Sequence, residues 1–406
     1  MSKKVKQFFL LAVFYFLFTA GIFSQFAQPV RLQDKTSADL KVGAERTEKY
    51  FPLLKDKSIA VVAHPASMVK NTHLVDTLIK SGFKVKKIFA PEHGFRGEAA
   101  AGEKIKSNVD AKTNLPVISL YGKNYKPKPE DLKDVEVVIF DLQDVGARFY
   151  TYLSTLHYVM EACAENKKQL ILLDRPNPNG YYIDGPILES KFKSFSGMHP
   201  VPVVYGMTIG EYALMINGEK WLANGIQCKL EVISIEGYAH DDLYQLPVRP
   251  SPNLPNMSSV YLYPSLCFFE GTIVSVGRGT DKPFQLFGYP GLRDGKISFI
   301  PKASASGDGP LYSGKTCSGF YVSDYGDAYV KYNKKLYLFW LLNLYSSCAD
   351  KEKFFNTYFN SLAGTDQLMK QIKEGKSEVE IRATWQAGLD KFKVIRKKYL
   401  IYKDFE

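Results

Sequence analysis

Apolar residues in this chain cluster in short runs, and each run breaks off at glycine, proline or charged residues. Ser58–Ala63 (Ser-Ile-Ala-Val-Val-Ala) is the first, followed by runs at 84–89, 115–120, 135–140, 169–173, 201–204 and 229–235. Runs this short, bounded in this way, read as strands, and 84–89 (Lys-Val-Lys-Lys-Ile-Phe) as a short alternating one. Between them the period changes. Residues 72–81 read as a helix capped by Thr72 and stopped by Gly82, and Pro129 opens a short helix through Leu132. Tyr152, Leu156, Val159 and Cys163 fall on one helical face. A further helix is expected from Thr208 to about residue 222, with Glu211 placed to complete a capping box. Strands separated by helices predict βαβ units, a mainly parallel sheet and an α/β fold.

Right-handed crossovers bring the carboxyl ends of parallel strands to one rim, where open α/β sheets place their ligands. His64, Glu92, His93, Asp141, Asp144, Arg148, Asp174, Arg175 and Tyr205 all follow such runs, and a shared cleft is expected. The densest stretch is Ala90-Pro-Glu-His-Gly-Phe-Arg-Gly97, which adds Arg96, with Glu98 next in the chain. The alternation ends at the Pro-dense segment 249–256, read as a domain boundary or as a rigid loop carried over the cleft. This divides the chain into a leader (1–24), a catalytic domain (38–256) and a smaller α+β domain (257–406). In the last of these, 266–276 reads as strand and ends in Gly277-Arg-Gly-Thr-Asp281, and 284–312 is loop-rich. Residues 334–347 and 352–362 are helical, and 378–399 is a helix interrupted at Gln386-Ala387-Gly388. This part carries no obvious catalytic cluster of its own.

At 406 residues the chain exceeds one ordinary core, so two domains are the natural division. Lys3, Lys4 and Lys6 precede an almost unbroken apolar run over 8–23, and Ser24, Gln25 and Ala27 follow it. That order is a secretory signal peptide, with cleavage expected between Ala20 and Ala27. The mature protein is therefore expected to be secreted or periplasmic, without a stable membrane anchor. Five widely spaced cysteines without C-x-x-C indicate neither a disulfide framework nor a zinc site, and read mostly as small buried hydrophobes. The net charge of +11 falls to about +8 without the three leader lysines. Its diffuse spread, with no basic stripe interleaved with aromatics, does not point to nucleic acid; a small anionic ligand suits it better.

No G-x-G-x-x-G follows the first strand, and neither Walker A nor G-x-S-x-G occurs, so no nucleotide cofactor is expected. Asp141, Asp144 and Asp174 could gather a hard cation, but their spacing is no specific metal motif, and no metal is assigned. Carboxylates without metal suit glycosidic cleavage, in which an acid protonates the leaving oxygen and a second group stabilises or attacks the sugar cation. Glu92, between Pro91 and His93, is the candidate acid. Asp141, Asp144 and Glu98 are its candidate partners, or a substrate 2-acetamido group replaces them. A non-catalytic cell-wall glycan-binding protein and a metal-dependent hydrolase of sugar derivatives are the alternative readings.

Ala90–Gly97 is joined, in order, by Ser119-Leu-Tyr-Gly122, Phe140-Asp-Leu-Gln-Asp-Val-Gly-Ala-Arg-Phe-Tyr-Thr-Tyr152, Leu173-Asp-Arg-Pro-Asn-Pro178, Gly206-Met-Thr-Ile-Gly-Glu211 and Gly277–Asp281. Together they resemble the NamZ-type exo-β-N-acetylmuramidases, a bacterial family long catalogued as a domain of unknown function. The resemblance runs from residue 58 to the chain end. It implies a Rossmann-like N-terminal domain carrying the active site and a smaller C-terminal domain. It also implies release of N-acetylmuramic acid from the non-reducing end of peptidoglycan fragments, with Glu92 as the catalytic glutamate. His93 and Asp144 are expected beside it. The expected substrate contacts are His64, Arg96, Asp141, Arg148, Tyr150, Asp174, Arg175, Tyr205 and Arg278. The lactyl carboxylate of this sugar calls for a cationic fork, and among the motif arginines Arg148 or Arg96 is preferred to Arg175 and Arg278. One departure stands out: many members have His before Gly-Met-Thr, where this chain has Tyr205.

Overall fold

Strand β1 (Ser58–Ala63) is the axis of the structure. Ile59, Val61 and Ala63 face one side of it and Ala60 and Val62 the other, and all five are fully buried. Only a central strand covered on both faces needs such a continuous apolar run. The computed structural model describes residues 34–35, 40–92, 94–96, 108–303 and 309–406. The leader, His93, Gly97 and Glu98 lie outside the described residues.

Around β1 the sheet comprises β2 (Lys84–Ala90), β3 (Asn108–Val109), β4 (Pro116–Ser119), β5 (Val137–Asp141), β6 (Gln169–Leu173) and β7 (Lys229–Ile233). Their order is β7–β6–β5–β1–β2–β4–β3. All neighbours are parallel except β3, which runs antiparallel to β4. The chain leaves β1 toward β2 and β4, then returns to the other side of β1 for β5, as in doubly wound Rossmann-like sheets. Helices α1 (Leu74–Lys80), α2 (Pro129–Leu132), α3 (Tyr152–Glu165) and α4 (Ile209–Gly218) connect the strands. Leu74, Val75 and Leu78 of α1 join Ile59, Val61, Ile88 and Ile139 in one core.

Several local expectations are met and others are corrected. Thr208 and Glu211 form the expected capping box. Helix α1 starts two residues later than read: 72–73 pair with 68–69 as a tiny hairpin, and the His73 ring caps the helix by accepting from Val75 N. Residues 201–204 form no strand, only single bridges from Val204 to Ala147 and Asp184. Here the carbonyls of Val201 and Val203 are taken by the Arg148 guanidinium and its backbone amide instead of a ladder.

Beyond 256 the expected strand at 266–276 is instead the end of helix α5 (Met257–Leu266) and a 3₁₀ turn, Cys267–Gly271. The Asn256 side chain caps α5, and helical context overrides the aromatic content. A small antiparallel sheet follows, β8 (Leu286–Tyr289), β9 (Ile297–Phe299) and β10 (Cys317–Tyr321), with β10 in the middle. Helix α6 (Phe339–Ser347) is shorter than expected. Residues 352–362 divide into a 3₁₀ turn and a short helix, Phe359–Ala363. The last helix, α7 (Glu378–Lys397), is unbroken. Gly388 does not interrupt it but lies against Ile187, where a Cβ would meet a methylene at 2.9 Å. All five cysteines are buried and free. None of the described helices is long and apolar enough to cross a membrane.

After α7 the chain returns to the sheet. Tyr402 donates from its hydroxyl to Asp174 Oδ2 (2.6 Å), and Ile401 and Tyr402 donate backbone N–H groups to Glu211 Oε1. Asp174 also accepts from Thr208 Oγ1 and Gly210 N. Burial pushes its carboxyl up to about 7, against the pull of these donors. A carboxyl raised above its unfolded value of 3.8 favours the folded state below that value, and loses this contribution as pH climbs through about 7. In Asp174→Asn the remaining carbonyl keeps the backbone donors, and the amide faces two hydroxyls that can turn. The melting-temperature difference, wild type minus Asp174→Asn, should therefore shrink between about pH 5 and about pH 8. A difference that grows with pH in thermal melts contradicts this.

Candidate active site

Strand β2 ends at Ala90, Pro91 turns the chain, and Glu92 emerges half-buried in a cavity of about 150 Å³. The loop after β5 forms the neighbouring wall with Phe149, Tyr150 and Thr151, and Tyr152 begins α3. Gly146 sets this loop's course: its φ is +76°, and a Cβ there would lie 2.2 Å from Asn177 Oδ1. The Pro-dense segment lines the cavity through Ser251, Asn253 and Leu254, and so is a loop over the cleft. Tyr150 holds it by donating to Pro250 O at 2.8 Å.

Thr151 Oγ1 donates to Glu92 Oε2 at 2.8 Å, and the Tyr152 hydroxyl donates to the Glu92 carbonyl at 3.4 Å. Burial and then the Glu92 charge push the neighbouring Tyr121 phenol up. Opposing elements come from the C-terminal part: Glu270, Arg278, Cys267 and Tyr358. Arg278 donates from Nε and Nη2 to the two oxygens of Glu270, the second at 3.1 Å. Burial works against the guanidinium's charge, but Glu270 holds its pKa above the usual value. The Tyr358 and Ser196 hydroxyls meet at 2.8 Å across the two parts of the chain. The Tyr358 phenol is pushed up to about 12, first by burial, with Glu270 and Glu92 both adding. Both carboxylates thus act on one phenol.

The other expected site residues lie elsewhere. At the switch point between β1 and β5, where a ligand crevice is the rule, protein fills the space. His64 Nε2 accepts from Gln143 N at 2.7 Å, and its ring packs 5.2 Å from that of Tyr152. Asp141 is locked to Arg175 by two bonds, at 2.5 and 2.9 Å. Asp144 is buried and does not line the cavity; it accepts from the Tyr205 hydroxyl and from Gly146 N, and burial pushes it up to about 6. Tyr205 is fully buried in this pair. Asp174 ties down the chain end, as described above. Of the expected residues described, Glu92, Tyr150 and Arg278 line the cavity.

Both arginines preferred for an acidic sugar are committed elsewhere. Arg96 pairs with Asp110 (2.7 and 2.9 Å) and reaches Asp76; in return it holds the Asp110 carboxyl at about 2. Arg148 is buried, and its guanidinium donates to the carbonyls of Pro186, Val201, Leu362 and Ala363 at 2.7 to 3.0 Å. The residue that sequence reasoning missed is Glu270. Its signal is a lone acid in an apolar run, eight positions before Arg278. Among the described residues no His, Cys, Asp and Glu cluster of three or more could hold a metal ion.

Two carboxylates set in one cleft above an α/β sheet, with aromatic walls, are the equipment of a glycoside hydrolase. Comparison with known proteins carries this to a family. Residues 59–258 match the N-terminal model, and 261–402 the C-terminal model, of the exo-beta-N-acetylmuramidase NamZ family. The chain is 39% identical over 376 residues to the peptidoglycan beta-N-acetylmuramidase NamZ of Bacillus subtilis (strain 168), covering 87% of this chain and 89% of that protein. Two crystal structures of DUF1343 family proteins from Bacteroides fragilis share the fold. One has TM-score 0.83 and 44% identity, the other 0.76 and 30%; each comparison covers 90% of this chain and 99% of the other. The chain belongs to the NamZ exo-β-N-acetylmuramidase family and is a glycoside hydrolase.

Arg148 is thus a structural cation. A lysine has three donors on one point and cannot span four carbonyls. Arg148→Lys should lower unfolding stability by about 2–4 kcal/mol, the cost of buried acceptors left without a charged donor. Urea denaturation checks this, and an unchanged midpoint contradicts it.

Proposed function

We propose that this protein is an exported exo-β-N-acetylmuramidase that cleaves N-acetylmuramic acid from the non-reducing end of peptidoglycan fragments, with Glu92 as general acid and base. The observation that carries the reading is Glu92 itself. It is the glutamate of the Pro-Glu-His-Gly motif, half-buried, facing the cavity and oriented by Thr151. The name of the Bacillus relative supports the substrate class.

In this reading the protonated Glu92 carboxyl gives its proton to the glycosidic oxygen. The C1–O bond breaks toward that oxygen, and the Glu92 carboxylate then takes a proton from the incoming water. Walls of Tyr121, Tyr150 and Phe149 suit the faces of a sugar ring. The lactyl carboxylate meets Arg278, whose Nη1 takes no part in the pair with Glu270.

Glu92→Gln should lower turnover of a muramic-acid-terminated disaccharide by about 100-fold or more, read as released monosaccharide by mass spectrometry, with little change in thermal stability. Turnover retained in that variant removes Glu92 from the role. Export through the leader predicts that N-terminal sequencing of the mature protein finds a start within 21–28. A chain that keeps Met1 outside the cytoplasm contradicts cleavage.

A further inference from the structure

We propose that the reaction is assisted by the substrate's own 2-acetamido group, and that Glu270, held by Arg278, is the carboxylate that orients and stabilises it. This rests on the muramidase reading above and specifies its second chemical partner.

A glycosidase needs something beyond its acid: a nucleophile, a base, or a group in the substrate that takes their place. Of the candidate partners, Glu98 lies outside the described residues, Asp141 is spent on Arg175, and Asp144 is buried against Tyr205 and does not line the cavity. Among the described residues, Glu92 and Glu270 are the carboxylates that line the cavity. Glu270 is not a loose nucleophile. Arg278 grips both its oxygens, and Phe284 lies 5.1 Å from the guanidinium carbon, so the carboxylate is a fixed acceptor. A fixed anion beside the arginine that meets the O3-lactyl group also lies next to C2, which carries the acetamido nitrogen. The Tyr358 phenol, raised by both Glu92 and Glu270, ties the two carboxylates to one site.

The steps balance. Glu92 donates its proton to the leaving oxygen, and the C1–O bond's electron pair goes with that oxygen. The acetamido carbonyl oxygen bonds to C1, giving an oxazolinium whose N–H proton is held by, or passed to, Glu270. Water then adds to C1 and yields its proton to Glu92. The C1–O bond of the ring intermediate opens, its electrons restore the amide, and Glu270 returns the proton to nitrogen.

The test compares an aryl N-acetylmuramide with its N-trifluoroacetyl analogue, on wild type and on Glu270→Gln. Fluorine withdraws electrons from the attacking carbonyl, so wild-type kcat/KM should fall by about 100-fold or more on the analogue. On the acetyl substrate, Glu270→Gln should lower kcat by about 100-fold or more at a KM within a few-fold of wild type. Wild-type rates within about threefold on the two substrates overturn acetamido assistance, and need no variant to be folded. A folded Glu270→Gln with wild-type kcat overturns the role of Glu270. If wild type cleaves neither aryl muramide nor muramic-acid disaccharide, the muramidase reading falls and this one with it.

Discussion

A guanidinium buried without a carboxylate partner holds the two halves of this molecule in register. Arg148 leaves the loop after β5 and donates to Pro186 and Val201 on one side and to Leu362 and Ala363 on the other. Its charge is met by carbonyl dipoles alone, which is why burial lowers its pKa. The residues that follow it, Phe149 to Tyr152, form one wall of the cavity, and Leu362 belongs to the other. Hydrogen bonds from one guanidinium therefore join the elements that carry the two walls of the cleft. Gly364 closes the same contact from behind: a Cβ there would lie 2.6 Å from Arg148 Nη2.

From that constraint the placement of the chemistry follows. The doubly wound sheet offers a crevice between β1 and β5, yet His64, Gln143, Asp141 and Arg175 fill it with their own bonds. The cavity that Glu92 lines is separated from His64 by Tyr152, and Glu270 and Arg278 from beyond the sheet complete its lining.

The central strands were legible because β1, β5 and β6 are buried apolar runs, and Glu92 because it follows β2 beside proline; the exposed pair Asn108–Val109 of β3 carries no such signal. The capping box at Thr208 was equally plain. What could not be read was partnership. Arg148, Arg96 and Arg278 look alike in a sequence, and only the surrounding carbonyls and carboxylates separate a structural cation from one that faces the cleft. Glu270 was hidden for a related reason. Its apolar neighbours suited a strand, and the capped helix before it decides otherwise. The bond between Tyr205 and Asp144 joins residues 61 positions apart, and no local pattern records it.

The return of the chain end to the sheet ties distant parts of the sequence together. Asp174 and Glu211 are both buried, and a hydroxyl and amides from residues 401 and 402 reach them. Asp174 has local donors in Thr208 and Gly210, and Glu211 in Thr208 N; residues 401 and 402 add the distant ones. A contact spanning 228 positions, from Asp174 to Tyr402, thus fastens the segment after α7 to the rim of the sheet.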